Sequence, residues 1–268
     1  MEGWLERPVG RTWYRVTGEG GRDPLLCLHG GPGSTHNYFA PLERLADERP
    51  IVLYDQLGCG RSERSTEIEW SLAVFLEELD ALRAHLSLER VHLLGTSWGG
   101  MLALEHALAH QGSLASLILS STLASAAEWA AEAKRLRDEI PGTDAEVEHE
   151  FDARHVYRLD YECSEIVRMR AQRAPDVYQA MWGPNEWTIT GALEGWDVRP
   201  RLGELELPTL VLRGAHDLST PAISKTLLDG LPNAREVVFE ASSHMPVLEE
   251  TERYLNTVRR FLCAVEAR

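Results

Sequence analysis

The stretch Val91-His92-Leu93-Leu94-Gly95-Thr96-Ser97-Trp98-Gly99-Gly100-Met101 decides how the rest of the chain is read. An apolar strand pattern runs straight into a serine flanked by glycines. Met101, Leu102, Leu104, Ala107 and Leu108 then carry helical spacing. Gly-x-Ser-x-Gly between a strand and a helix places its serine on a sharp, strained turn, where only glycines leave room for close backbone approach. In a 268-residue chain with 21 glycines the five-residue pattern alone says little. The strand before it and the helix after it give it meaning.

Outward from this turn, strand and helix patterns alternate. Residues 11–18 read as a first edge strand. Pro24 to Leu28 is a short apolar run ending in His29-Gly30-Gly31-Pro32-Gly33, and Ile51-Val52-Leu53-Tyr54 is another, ending in Asp55-Gln56-Leu57-Gly58-Cys59-Gly60-Arg61-Ser62. Ile68, Leu72, Phe75, Leu76, Leu79, Leu82 and Leu86 recur at steps of three and four, as on an amphipathic helix. Strands follow at Leu114–Leu119, Thr209–Leu212 and Glu236–Phe239. A C-terminal helix carries Leu248, Leu255, Val258, Leu262 and Val265. This alternation predicts an α/β fold, a mostly parallel sheet with helices on both faces. Residues 126–200 break the rhythm with helical pieces and no strand. Thr143 and Glu146 form a capping-box pattern there, and Tyr157, Tyr161, Tyr178, Trp182, Trp187 and Trp196 crowd the segment. We read 126–200 as a helical cap inserted into a core made of 1–125 and 201–268, with the aromatics either lining a pocket or holding the cap together.

Composition narrows the function. A hydrophobic content of 44% suffices for a full core, and a net charge of −15 argues against nucleic acid and anionic membranes as partners. Cys27, Cys59, Cys163 and Cys263 are widely spaced, as reduced thiols of a cytoplasmic protein would be. The N-terminus has no apolar signal segment, and no run is long enough to span a bilayer.

A serine nucleophile needs a base and a group to orient that base. On a turn of this kind the acid and then the histidine follow in order, each after a strand. Asp217 follows the strand at 209–212 and His244 the strand at 236–239, so Ser97 is the expected nucleophile, His244 the base and Asp217 its orienting acid. His216 is the serious rival base, but choosing it leaves His244 without a role. The backbone N–H of Trp98 supplies one oxyanion donor. The His29–Gly33 loop supplies the other, from Gly31, with Gly30 also open. Gly58-x-Gly60 lacks the third glycine of a dinucleotide fingerprint, and neither His-Glu-x-x-His nor a P-loop occurs. Neither a metal nor an organic cofactor is expected.

Taken together, His29-Gly30-Gly31-Pro32-Gly33, Asp55-Gln56-x-Gly58-x-Gly60-x-Ser62, Gly95-x-Ser97-Trp98-Gly99-Gly100, Gly183-Pro184-Asn185-Glu186-Trp187 and the Asp217 and His244 loops resemble the proline iminopeptidase (prolyl aminopeptidase) family of α/β-hydrolases. The resemblance covers residues 10–262. It implies an α/β-hydrolase fold with an acyl-enzyme on Ser97. The expected reaction is cleavage of an amide beside an N-terminal, free-amine residue in a small molecule or short peptide. It also implies that Glu186, in the cap, binds the substrate ammonium. The chain departs from some members in carrying Leu218 where they have a second acid directly after the triad aspartate. That departure leaves an esterase, a lactonase or a special-metabolite amide hydrolase with the same triad as the alternative. A non-catalytic ligand receptor on the same scaffold is disfavoured by the intact triad and oxyanion loops.

Overall fold

Glu2–Arg7 (β1) folds back on Gly10–Thr17 (β2) as an antiparallel hairpin, so the edge of the sheet lies one strand earlier than the sequence implies. Only Leu5 of β1 is buried, which is why its pattern carries no strand signal. The computed structural model describes residues 1–64 and 68–267. After the hairpin come Leu25–Leu28 (β3), Ile51–Tyr54 (β4), Val91–Thr96 (β5), Leu114–Ser120 (β6), Thr209–Gly214 (β7) and Ala234–Phe239 (β8). They form one sheet in the order β1-β2-β4-β3-β5-β6-β7-β8, antiparallel as far as the β2–β4 pair and parallel from β4 to β8.

Strand side chains alternate between two apolar layers. Leu26, Leu28, Val52, Tyr54, Leu93 and Leu117 enter one, while Leu25, Cys27, Ile51, Leu53, Leu94 and Ile118 enter the other. Leu72–His85 (α1) and Trp98–His110 (α2) cover the first face. α1 begins at Leu72 behind Ser71, so Ile68 precedes the helix that its spacing suggested.

Between β6 and β7 the chain is helical, with Ala126–Asp138 (α3), Asp144–Phe151 (α4), Ser164–Gln172 (α5) and Pro175–Met181 (α6). The capping box forms: the Glu146 carboxylate accepts from the Thr143 N–H at 2.8 Å. A helix absent from the sequence reading, Pro221–Gly230 (α7), crosses from β7 to β8. The C-terminal pattern divides into Pro246–Glu249 (α8), which carries Leu248, and Thr251–Glu266 (α9), which buries Leu255, Val258 and Leu262 on the second face. No helix among the described residues is long and apolar enough to cross a membrane.

Candidate active site

The turn from β5 to α2 is as tight as its glycines suggest. A Cβ on Gly99 would run into the Leu28 carbonyl oxygen, and one on Gly95 into that of Gly99. Ser97 itself takes φ 54° and ψ −122°, a conformation disfavoured for an L-residue and held by its surroundings. Its N–H donates to the Ser120 carbonyl at 3.0 Å, and its carbonyl accepts from Thr122 Oγ1 at 2.6 Å. From Val91 to Leu104 it is the one residue that is not buried, and it opens into a cavity of about 850 Å³. That volume is in the range of small-molecule sites.

His244 lines the same cavity. Its Nδ1 donates to Asp217 Oδ1 at 2.7 Å, which leaves Nε2 as the ring's lone-pair nitrogen. Asp217 is buried and held by the N–H groups of Ser219 (2.8 Å) and Gly214 (3.4 Å). Burial alone would pull the imidazole down. The charge and hydrogen bond of Asp217, with smaller contributions from Glu186 and Glu249, outweigh it and hold His244 above its usual value. Glu249 fixes the loop by accepting from Ser243 N–H at 2.8 Å and Ser243 Oγ at 2.7 Å. His216, the rival base, is exposed, and its carbonyl accepts from His155 Nδ1 at 2.9 Å.

The glycine loop after β3 separates the two candidate oxyanion donors. The Gly30 N–H is taken by the Tyr38 hydroxyl at 2.6 Å, which favours Gly31 as the donor. Gly31 has φ +115°, and a Cβ there would meet the Gly33 and Ser34 nitrogens at 2.6 Å.

Glu186 also lines the cavity, half-buried. Trp129 Nε1 donates to its Oε2 at 3.0 Å and the Tyr178 hydroxyl to its Oε1 at 2.8 Å. The Trp129 ring also packs edge-on against His244, with centroids 5.8 Å apart. The sequence reading missed Trp129; its one signal is an isolated tryptophan in an alanine- and charge-rich helix. Of the crowded aromatics, Tyr157, Tyr161, Tyr178 and Trp187 line the cavity. Trp182 instead packs against Trp129, and Trp196 donates to Glu105 at 2.7 Å. Leu218 is buried in the apolar layer and offers the cavity no charge.

Away from the cavity, Asp80, His106 and His110 bring ligand-type atoms within 4.8 Å of one another. Arg83 donates to His106 Nε2 at 2.8 Å, which puts that ring's proton on Nδ1, the atom facing Asp80 at 3.4 Å. A cation there would have to displace that proton, so the trio reads as a polar cluster between α1 and α2.

A serine on a strained strand-to-helix turn, with a histidine–aspartate pair from two later strands of a parallel sheet, defines an α/β-hydrolase. A model of the α/β hydrolase fold matches residues 23–147. The proline iminopeptidase of Clostridioides difficile (strain 630) is 39% identical, covering 98% of this chain and 98% of its own. That of Levilactobacillus brevis is 41% identical, covering 95% and 93%. The crystal structure of the Mycobacterium smegmatis proline iminopeptidase superposes with a TM-score of 0.93 at 34% identity, covering 100% and 99%. The chain belongs to the proline iminopeptidase family, and it is a serine hydrolase.

Proposed function

We propose that this hydrolase is an aminopeptidase that cleaves the amide on the carboxyl side of an N-terminal residue, proline among them, in a short peptide or small amide. The observation that carries the reading is the placement of Glu186 in one cavity with Ser97 and His244, both its oxygens already fixed by Trp129 and Tyr178. A carboxylate held there pairs with the ammonium of a residue whose carbonyl lies at Ser97. An unpaired buried ammonium would be costly.

In the reaction, Ser97 Oγ attacks the carbonyl carbon while His244 Nε2 takes its proton. The Gly31 and Trp98 N–H groups stabilise the developing oxyanion, and Asp217 stabilises the imidazolium. His244 then gives the proton to the leaving amine, forming an acyl-enzyme, and activates a water that releases the acid. Residues 126–200 act as the cap over this site. Free cysteines, with Cys27 and Cys59 buried, support a cytoplasmic setting.

Leu218 supports a second reading, an ester-cleaving enzyme, because it leaves Glu186 without a second acid beside the triad. The deciding experiment is hydrolysis of proline, alanine and leucine p-nitroanilides with free and blocked amines, alongside a p-nitrophenyl ester. Turnover of the free-amine anilides alone fits the aminopeptidase; turnover of the ester alone rejects it.

A further inference from the structure

The segment Asp55–Ser62 after β4 plays no direct part in the chemistry above, yet one of its side chains touches both halves of the oxyanion site. Gln56 is wholly buried. Its Oε1 accepts from the indole Nε1 of Trp98 at 2.7 Å, its Nε2 donates to the His29 carbonyl at 2.8 Å, and its backbone N–H donates to His29 Nε2 at 2.9 Å. Burial pushes His29 down to about 4, so the ring is neutral; with Nε2 accepting, Nδ1 donates to the Gly30 carbonyl at 2.9 Å. Next to it, Asp55 ties the same loop to the chain on either side, accepting from His36 N–H at 2.8 Å and Arg61 N–H at 2.9 Å.

The topology makes this bridge unusual. β3 lies between β4 and β5, and the two N–H donors come from the ends of β3 and β5. Gln56, at the end of β4, binds the β3 loop through His29 and reaches past it to the first residue of α2. We infer that Gln56 is a positioning residue that fixes the spacing between the Gly31 and Trp98 N–H groups. This rests on the oxyanion site proposed above. A side chain needed only to fill space would be apolar here, since burying an amide requires every one of these hydrogen bonds to be met.

The test uses Gln56→Leu and Gln56→Glu in the full chain. Removing an oxyanion donor outright costs about 10²–10³ in kcat, so loosening both should lower kcat by about 10- to 100-fold. An α-aminoboronic acid, whose boron replaces the scissile carbonyl carbon, becomes four-coordinate on Ser97 Oγ as the hydroxyl proton passes to His244; it places an oxygen at the two donors and should lose affinity in parallel. Affinity for a simple amine such as pyrrolidine, which can pair with Glu186 but has no oxygen to place at the donors, should stay within about twofold.

Gln56→Glu adds a pH signature. As a carboxylate it accepts from Trp98 but has no hydrogen for the His29 carbonyl; protonated, it serves both. Burial raises such a carboxyl, so its kcat relative to the unaltered enzyme should rise as pH falls from about 8 to about 6. A folded Gln56→Leu protein with kcat within about threefold of normal overturns the proposal, as does equal loss of amine and boronate affinity. If Gln56→Leu does not fold, Gln56→Glu decides, and a flat activity ratio across pH overturns it. Turnover surviving in Ser97→Ala would instead refute the site on which the proposal rests.

Discussion

Replacing Glu186 with glutamine removes one charge while keeping the shape of the site. The amide Oε1 accepts from Trp129 Nε1 as Oε2 does now at 3.0 Å, and its NH₂ donates to Tyr178, whose hydroxyl can rotate to accept. The fold should therefore be unaffected. What the proposed amine recognition would lose is a charge-assisted hydrogen bond to the substrate ammonium, which contributes about 1.5–3 kcal/mol. Glu186 is half-buried, so water screens part of the charge, and a mid-range value of about 2 kcal/mol is appropriate. At about 1.4 kcal/mol per tenfold, that is about 30-fold in kcat/KM. Because the ammonium is bound in both the ground and transition states, most of the loss should fall on KM. The assay is steady-state hydrolysis of alanine p-nitroanilide against its N-acetylated form, the blocked substrate changing by less than about threefold. Equal losses on both substrates would refute amine recognition by Glu186.

Ser97→Ala should leave the melting temperature within a few degrees and reduce kcat by about 10⁴ or more, since no other group can carry the acyl chain; a residual rate within tenfold of normal would remove Ser97 as the nucleophile. Asp217→Asn puts an amide where the imidazole N–H now donates, so His244 loses the tautomer that leaves Nε2 unprotonated. Its kcat should fall by about 10³–10⁴, and the acid limb of kcat/KM should move to lower pH because the main group raising His244 is gone. An unshifted limb would mean that another group is the base.

The inner strands were legible because they are buried on both faces. Leu25–Leu28 and Ile51–Tyr54 are continuous apolar runs, and Leu114–Ser120 is broken only by Ser116 before its last residue. The hairpin strand Glu2–Arg7 was not, since it packs through little more than Leu5. Local chemistry also singled out Ser97, Asp217 and His244 as candidates, each standing just after a strand, and the structure pairs the last two. The partners of Glu186 were hidden because Trp129 and Tyr178 come from α3 and α6, and nothing local records that two helices bring their polar tips to one carboxylate. The choice between Gly30 and Gly31 is likewise a tertiary question, since the Tyr38 hydroxyl that accepts from the Gly30 N–H lies eight residues further on.

As the proposed amine site, Glu186 would also act on the base. Its charge is among those that raise His244, so in the free enzyme it stabilises the imidazolium and works against the base form. An ammonium docked on Glu186 neutralises that charge, and His244 must then hold its proton less tightly. The sign follows directly: binding a free-amine substrate lowers the pKa of the base, and binding an N-blocked one does not. Since kcat/KM reports the free enzyme and kcat the complex, the acid limb of kcat should lie at lower pH than that of kcat/KM for free-amine anilides. For blocked substrates the two limbs should coincide apart from any general effect of occupancy. Coincident limbs with the free-amine substrate would mean that Glu186 does not hold the amine in the productive complex. On this reading the cap carboxylate recognises the substrate and, once satisfied, frees the base beside it to act.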